Sequence, residues 1–286
     1  LKNHSFSAWC AAHQHRSPTK PLIMGILNVT PDSFHDGGRH GTLEAALLHA
    51  RQMVADGADI IDIGGESSRP GATPVSVEEE LRRVVPVVRA LREESPVWIS
   101  VDTTRAAVMR EAALAGADIL NDINGLGCAE MREVAAVFGL PAILMHKQGE
   151  PRTMQVNPVY EQDICHVVAD FFAERIRLCE QSGIPRDRLV LDVGFGFGKT
   201  AAHNLRLVAH LSRFRALKLP LLLGASRKDT LGRLTGRDTE GRLAASLAVA
   251  AFAMTQGVGI LRTHDVAETW DVINVVSALQ QAQSDY

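Results

Sequence analysis

Short, unbroken apolar runs recur along the chain at Leu22–Leu27, Asp59–Ile63, Val97–Val101, Asp118–Leu120, Ala142–Met145, Leu189–Leu191, Leu219–Leu223 and Val258–Leu261. Their length fits strands. Hydrophobicity that is continuous rather than alternating means that both faces of each strand are buried, as in a parallel sheet covered by helices. Between the runs, apolar positions fall at helical spacing: Leu43, Ala46, Leu47, Ala50, Met53 and Val54 form one stripe, and Val77, Leu81, Val84, Val85, Val88 and Leu91 another. Eight such alternations, with no Pro- or Ser-rich linker to divide them, predict an α/β fold: a (β/α)8 TIM barrel forming one domain over residues 21–286, after an N-terminal extension at 1–20. An open doubly wound sheet is the alternative. Within the pattern lies an echo. Gly57-Ala58-Asp59-Ile60-Ile61-Asp62 returns as Gly116-Ala117-Asp118-Ile119-Leu120-Asn121-Asp122, each time a helix stop leading into a strand with a polar end.

Composition narrows the partner. With 30 Lys and Arg against 33 Asp and Glu, no basic field would draw the chain onto nucleic acid or an anionic membrane, and a small-molecule partner is expected. The cysteines Cys10, Cys128, Cys165 and Cys179 lie far apart with no metal-ligand spacing, which suits reduced thiols in a cytoplasmic protein. The uncharged run Leu243–Leu261 is broken by Gly257 and Gly259 and reads as a buried helix followed by a strand. Near the start, the apolar patch Phe6–Ala12 is at the lower limit for a signal-peptide core.

In a barrel, residues just after the strands gather at one mouth, where such folds carry function. Those residues are Asn28, Asp62 with Glu66, Asp102, Asn121 with Asp122, His146, Asp192, Lys228, and Arg262 with His264. Acids and amides dominate the early strands, and the cations follow strands seven and eight, where barrels often bind phosphate. Such a mouth suits a polar ring on one side and an anion on the other. The stretch from Asp192 to Thr200 holds Gly194, Gly196 and Gly198 but has neither P-loop nor dinucleotide spacing; it reads as a loop whose backbone can approach a flat ligand. Two further glycine-rich segments, 28–41 and 64–74, read as mobile covers carrying Phe34, Ser68 and Arg69, a set suited to a second substrate with a ring and a carboxylate.

Taken in order, Met24-Gly25-Ile26-Leu27-Asn28-Val29-Thr30-Pro31-Asp32-Ser33-Phe34, Gly64-Gly65-Glu66-Ser67-Ser68-Arg69-Pro70-Gly71, the Gly194 stretch and Ser226-Arg227-Lys228 strongly resemble dihydropteroate synthases. The resemblance runs from Pro21 to the C-terminal helix. It implies a folate-biosynthesis transferase, the target of sulfonamides, that joins 6-hydroxymethyl-7,8-dihydropterin pyrophosphate to p-aminobenzoate by a dissociative substitution, with Mg2+, as a homodimer. By matching position it implies a pterin site of Asp102, Asn121, Met145, Asp192, Phe197 and Lys228, and a pyrophosphate site of Asn28, Ser68, Arg69, Arg262 and His264. It likewise implies a p-aminobenzoate site of Phe34, Arg69, Pro70, Ser226 and Lys228, with Asn28 as the metal ligand and Asp102, Lys228, Arg262 and His264 as the catalytic set. The chain departs from the family pattern at His35, Ser68, Lys147 and Val193. A non-catalytic pterin-binding paralogue and a pterin-dependent methyltransferase barrel are the competing readings. The methyltransferases lack the Ser-Arg-Lys segment and the Arg-x-His pair found here.

Overall fold

Both faces of the predicted strands are covered in the computed structural model, which describes residues 5–14, 20–29, 39–66, 74–150 and 153–284. Strands β1 (Leu22–Asn28), β2 (Ile60–Gly64), β3 (Trp98–Asp102), β4 (Ile119–Asp122), β5 (Ala142–Met145), β6 (Leu189–Asp192), β7 (Leu221–Leu223) and β8 (Ile260–Thr263) form a closed parallel barrel in chain order. Closure is made by β8 pairing with β1, with Arg262 beside Met24. This is the (β/α)8 architecture, and the open-sheet alternative fails because no strand is left at an edge. Strand β7 starts two residues later than its apolar run, at Leu221, because Pro220 has no amide hydrogen to offer a ladder.

The helices α2 (Arg39–Ala55), α3 (Val77–Glu94), α4 (Ala106–Leu114), α5 (Ala129–Phe138), α6 (Ile164–Gln181), α7 (Ala201–Ala209), α8 (Asp229–Thr235), α9 (Leu243–Thr255) and α10 (Val266–Ser284) surround it. Their inward faces and the outward faces of the strands make the main core, through residues such as Ile61, Ile99, Leu120, Leu144, Leu191 and Leu223. A second core fills the lower half of the barrel interior with Met24, Ile60, Ile119, Ile143, Val190, Leu222 and Ile260. Its floor is α1 (Phe6–Ala12), which seats Phe6 and Cys10 among these residues. The segment set aside as an extension therefore contains a helix built into the barrel's base, and Ser5 caps it by accepting from the Ala8 amide at 3.2 Å.

The run at Leu243–Leu261 folds as a helix and then a strand, but the helix is not buried all round. In α9 only Ser246, Ala253 and Met254 are buried, and Phe252 is 44% exposed. One side packs on its neighbours and the other faces outward, so the absence of charge there records something other than the core. All four cysteines are free, with Cys128 the exposed one. Among the described residues no helix is long and apolar enough to cross a membrane.

Candidate active site

The C-terminal ends of the strands put Asn28, Asp62, Asp102, Asn121, Asp192 and Arg262 at one mouth. They hold one another. Arg262 on β8 donates from Nε to Asp62 Oδ2 at 2.7 Å and from Nη2 to Asp102 Oδ2 at 3.0 Å. Asn121 Nδ2 donates to the same Asp62 oxygen at 3.1 Å. Asp62 is completely buried, and its Oδ1 has no partner among the described residues. Burial and the Asp62 charge push the Asp102 carboxyl up to about 7, against the pull of Arg262. Arg262 thus spans the mouth with two of its five N–H donors committed to carboxylates.

Asp192, at the end of β6, accepts from the Gly194 amide at 2.8 Å through Oδ1. Burial raises its pKa, while the Gly194 N–H, Arg262, Lys199 and Lys228 oppose the rise. Beyond it the glycine-rich loop turns through positive φ at Gly194, Gly196 and Gly198, which brings Phe197 back over the mouth. Phe197 packs with Ile123, Met145 and Met154 as a small apolar group separate from both cores, and Lys228 Nζ lies 4.2 Å from the centre of its ring. On the β7–β8 side, Ser226 Oγ and His264 Nδ1 are 3.0 Å apart, and Ser226 also accepts from the His264 amide at 3.2 Å. Arg227, between the two site residues Ser226 and Lys228, takes a φ of 56°, and its guanidinium pairs with Asp265. A cavity of about 690 Å3, within the range of small-molecule pockets, opens among Asn28, Phe197, Ser226, Lys228, Arg262 and His264.

Asn28, Asp102, Asn121, Met145, Asp192, Phe197, Ser226, Lys228, Arg262 and His264 therefore all lie at the mouth named for them. Phe34, Ser68, Arg69 and Pro70 lie outside the described residues. Just beyond β3, Arg105 bridges Glu66 and Glu80, each at 2.8 Å. Three residues carry more than their sequence positions announced. Asp62 stood in the strand-end series but not in any ligand site, Met154 shares a wall with Phe197 across a loop, and Lys199 is buried beneath the glycine loop. The echo held the signal for the first, because Asp62 and Asn121 occupy corresponding places in it and are hydrogen-bonded to each other.

Fold and mouth define a barrel enzyme for a flat ligand rich in N–H groups joined to an anion, and the class follows from comparison: a family described as pterin binding enzyme matches residues 24–264. The chain is 52% identical over 265 residues to the dihydropteroate synthase of Escherichia coli (strain K12), covering 93% of this chain and 94% of that protein. A Yersinia pestis dihydropteroate synthase solved with a sulfonamide drug superposes with a TM-score of 0.87 at 50% identity, covering 92% of this chain and 95% of the other. One from Xanthomonas albilineans, in complex with 7,8-dihydropteroate, gives 0.83 at 43% identity over 95% and 97% of the two chains. The chain belongs to the dihydropteroate synthase family.

Proposed function

We propose that this chain condenses 6-hydroxymethyl-7,8-dihydropterin pyrophosphate with p-aminobenzoate to give 7,8-dihydropteroate and pyrophosphate. The observation that carries the reading is the division of one mouth into a carboxylate and amide side, Asp102, Asn121 and Asp192, and a side bearing Lys228, Ser226 and His264, with Arg262 spanning the two. Carboxylates accept from the pterin's amino and ring N–H groups, and Lys228 donates to its carbonyl oxygen. The apolar faces of Phe197, Met145 and Met154 suit the flat ring.

In this reading the bond between the pterin methylene and the bridging oxygen breaks first, and its electron pair leaves with pyrophosphate. The arylamine nitrogen then forms the new carbon–nitrogen bond and releases a proton to water. No protein nucleophile is required. Asp102 offsets the positive charge that develops on the methylene, while Arg262 and His264 face the growing charge of the leaving group. Mg2+ belongs to the proposal. Among the described residues no group of three or more His, Cys, Asp or Glu could cage an ion, but Mg2+ commonly takes one or two protein oxygens plus substrate phosphates, and Asn28 supplies an amide oxygen on the cavity wall. When bound there it would neutralise charge on the pyrophosphate.

The same reading includes a homodimer. Phe252 on α9 and Val275 and Leu279 on α10, two helices packed together, are 44%, 61% and 61% exposed, an apolar face that a second copy would cover. Replacing Val275 and Leu279 together by Glu should yield a folded monomer in sedimentation; an unchanged dimer would place the interface elsewhere. For the reaction, pyrophosphate release that depends on both substrates is the test. Release without p-aminobenzoate, or binding without turnover, would overturn it.

A further inference from the structure

Lys199 is 2% exposed and has no carboxylate within ion-pair distance among the described residues, yet it is fully bonded. Its ammonium donates to three backbone carbonyls: His146 at 3.1 Å, Gly194 at 2.9 Å and Phe197 at 3.0 Å. An ammonium has three donors, so all are used. The carbonyls come from two loops, the one after β5 and the one after β6, which meet backbone to backbone. A Cβ on Gly194 would lie 1.9 Å from the His146 oxygen, and one on Gly198 would lie 2.2 Å from that of Gln148. Such closeness crowds carbonyl dipoles together, and a buried cation is what makes the crowding stable.

We propose that Lys199 is a positioning residue: it clamps these two loops so that Asp192 and Phe197 present a preformed pterin surface, and its charge, when it is protonated, keeps Asp192 ready to accept N–H groups. The proposal rests on the pterin reading above. Asp192 is faced by the Gly194 amide from its own loop, by Arg262 from β8, by Lys228 from the start of α8 and by Lys199 from below. His146, on the far side of Lys199, is held neutral by burial and then by the lysine's charge, so it does not compete for the carboxylate. A methionine at 199 would fill similar space but take the lysine donor from the His146 and Phe197 carbonyls, leave the Gly194 carbonyl with the Phe197 amide at 3.1 Å, and remove one of the cations that oppose the protonation of Asp192.

The experiment compares wild type, Lys199→Met and Lys199→Arg by calorimetric binding of 6-hydroxymethylpterin from pH 5 to 9, together with amide hydrogen exchange. Lys199→Met should bind about tenfold more weakly at pH 7, lose affinity on acidification at a higher pH than wild type, and exchange faster at 194–198. Lys199→Arg keeps the charge and should keep the wild-type pH midpoint. Wild-type affinity and midpoint in Lys199→Met would overturn the electrostatic half, and unchanged exchange would overturn the clamp whatever the ligand. Wild type that binds no pterin overturns the underlying reading instead. If Lys199→Met does not fold, native-state exchange of the wild type decides: residues 146–148 and 194–198 opening as one unit support the clamp, and independent opening overturns it.

Discussion

Asp62 and Asn121 hold corresponding places in the repeated pattern, and the structure gives the pattern a physical meaning. At its start, Asp59 Oδ2 accepts from the Ile23 amide at 3.0 Å and Asp118 Oδ2 from the Ile99 amide at 2.8 Å, so each aspartate completes the beginning of the preceding strand. At its end, the polar residue of β2 meets that of β4 inside the barrel, as alternate strands of such barrels share a layer. Strand ends could thus be read from the chain. Arg262's pairing could not, because its carboxylates lie 200 and 160 residues upstream and become neighbours only on closure. Asp62→Asn should remove the charge that, after burial, most raises Asp102; the acidic limb of kcat/KM against pH, expected near 7 in wild type, should move to lower pH. An unmoved limb would mean that Asp102 does not set it. Asp192→Asn replaces an acceptor by a donor facing the pterin N–H groups and should weaken binding by about 1–3 kcal/mol. Calorimetry with a pterin analogue checks this, and unchanged affinity would remove Asp192 from the site.

Strands were the most legible elements, since a run buried on both faces leaves no other pattern, and all eight fall within two residues of their apolar runs. Less legible were elements whose role depends on what they meet. The seven residues of α1 look like a weak apolar patch in isolation, yet they floor the barrel, with Phe6 against Trp98 at 5.4 Å between ring centres and stacked on Trp9 at 5.5 Å. The uncharged α9 reads as core because hydrophobicity alone does not tell a buried face from one awaiting a partner. For α1 the expected outcome is specific. Phe6→Ala should cost about 3–5 kcal/mol of stability and lower the denaturation midpoint. Turnover of the folded fraction should stay near wild type, because the helix lies at the end of the barrel opposite the mouth. Lost turnover in folded Phe6→Ala would mean that floor and mouth are coupled through the barrel interior.

Across the whole molecule, one buried cation leaves a mark on folding that can be read without substrate. Burial pushes the Lys199 pKa down to about 7 from 10.5, with Asp192 pulling against the fall. Between those values the unfolded chain carries a proton at Lys199 that the folded chain does not, so this group's contribution to stability rises with pH there, by at most about 1.4 kcal/mol per pH unit. The carboxyls pushed up to about 7 at Asp102 and about 6 at Asp122 act on the acid side, where the folded chain keeps protons that the unfolded one releases. On the alkaline side the buried thiol of Cys179 and the Tyr160 hydroxyl are both raised to about 12. Unfolding would let them ionise sooner, so stability turns down again above about pH 9. Urea unfolding of wild type at pH 7, 8 and 9 should therefore show rising stability, and Lys199→Met should show a flatter line whatever its absolute stability. A flat wild-type line would mean that the three carbonyls hold Lys199 protonated throughout this range. The opposed costs also explain why such a residue sits under the site: its charge is unfavourable for folding at neutral pH, and what it supports is the shape of the mouth.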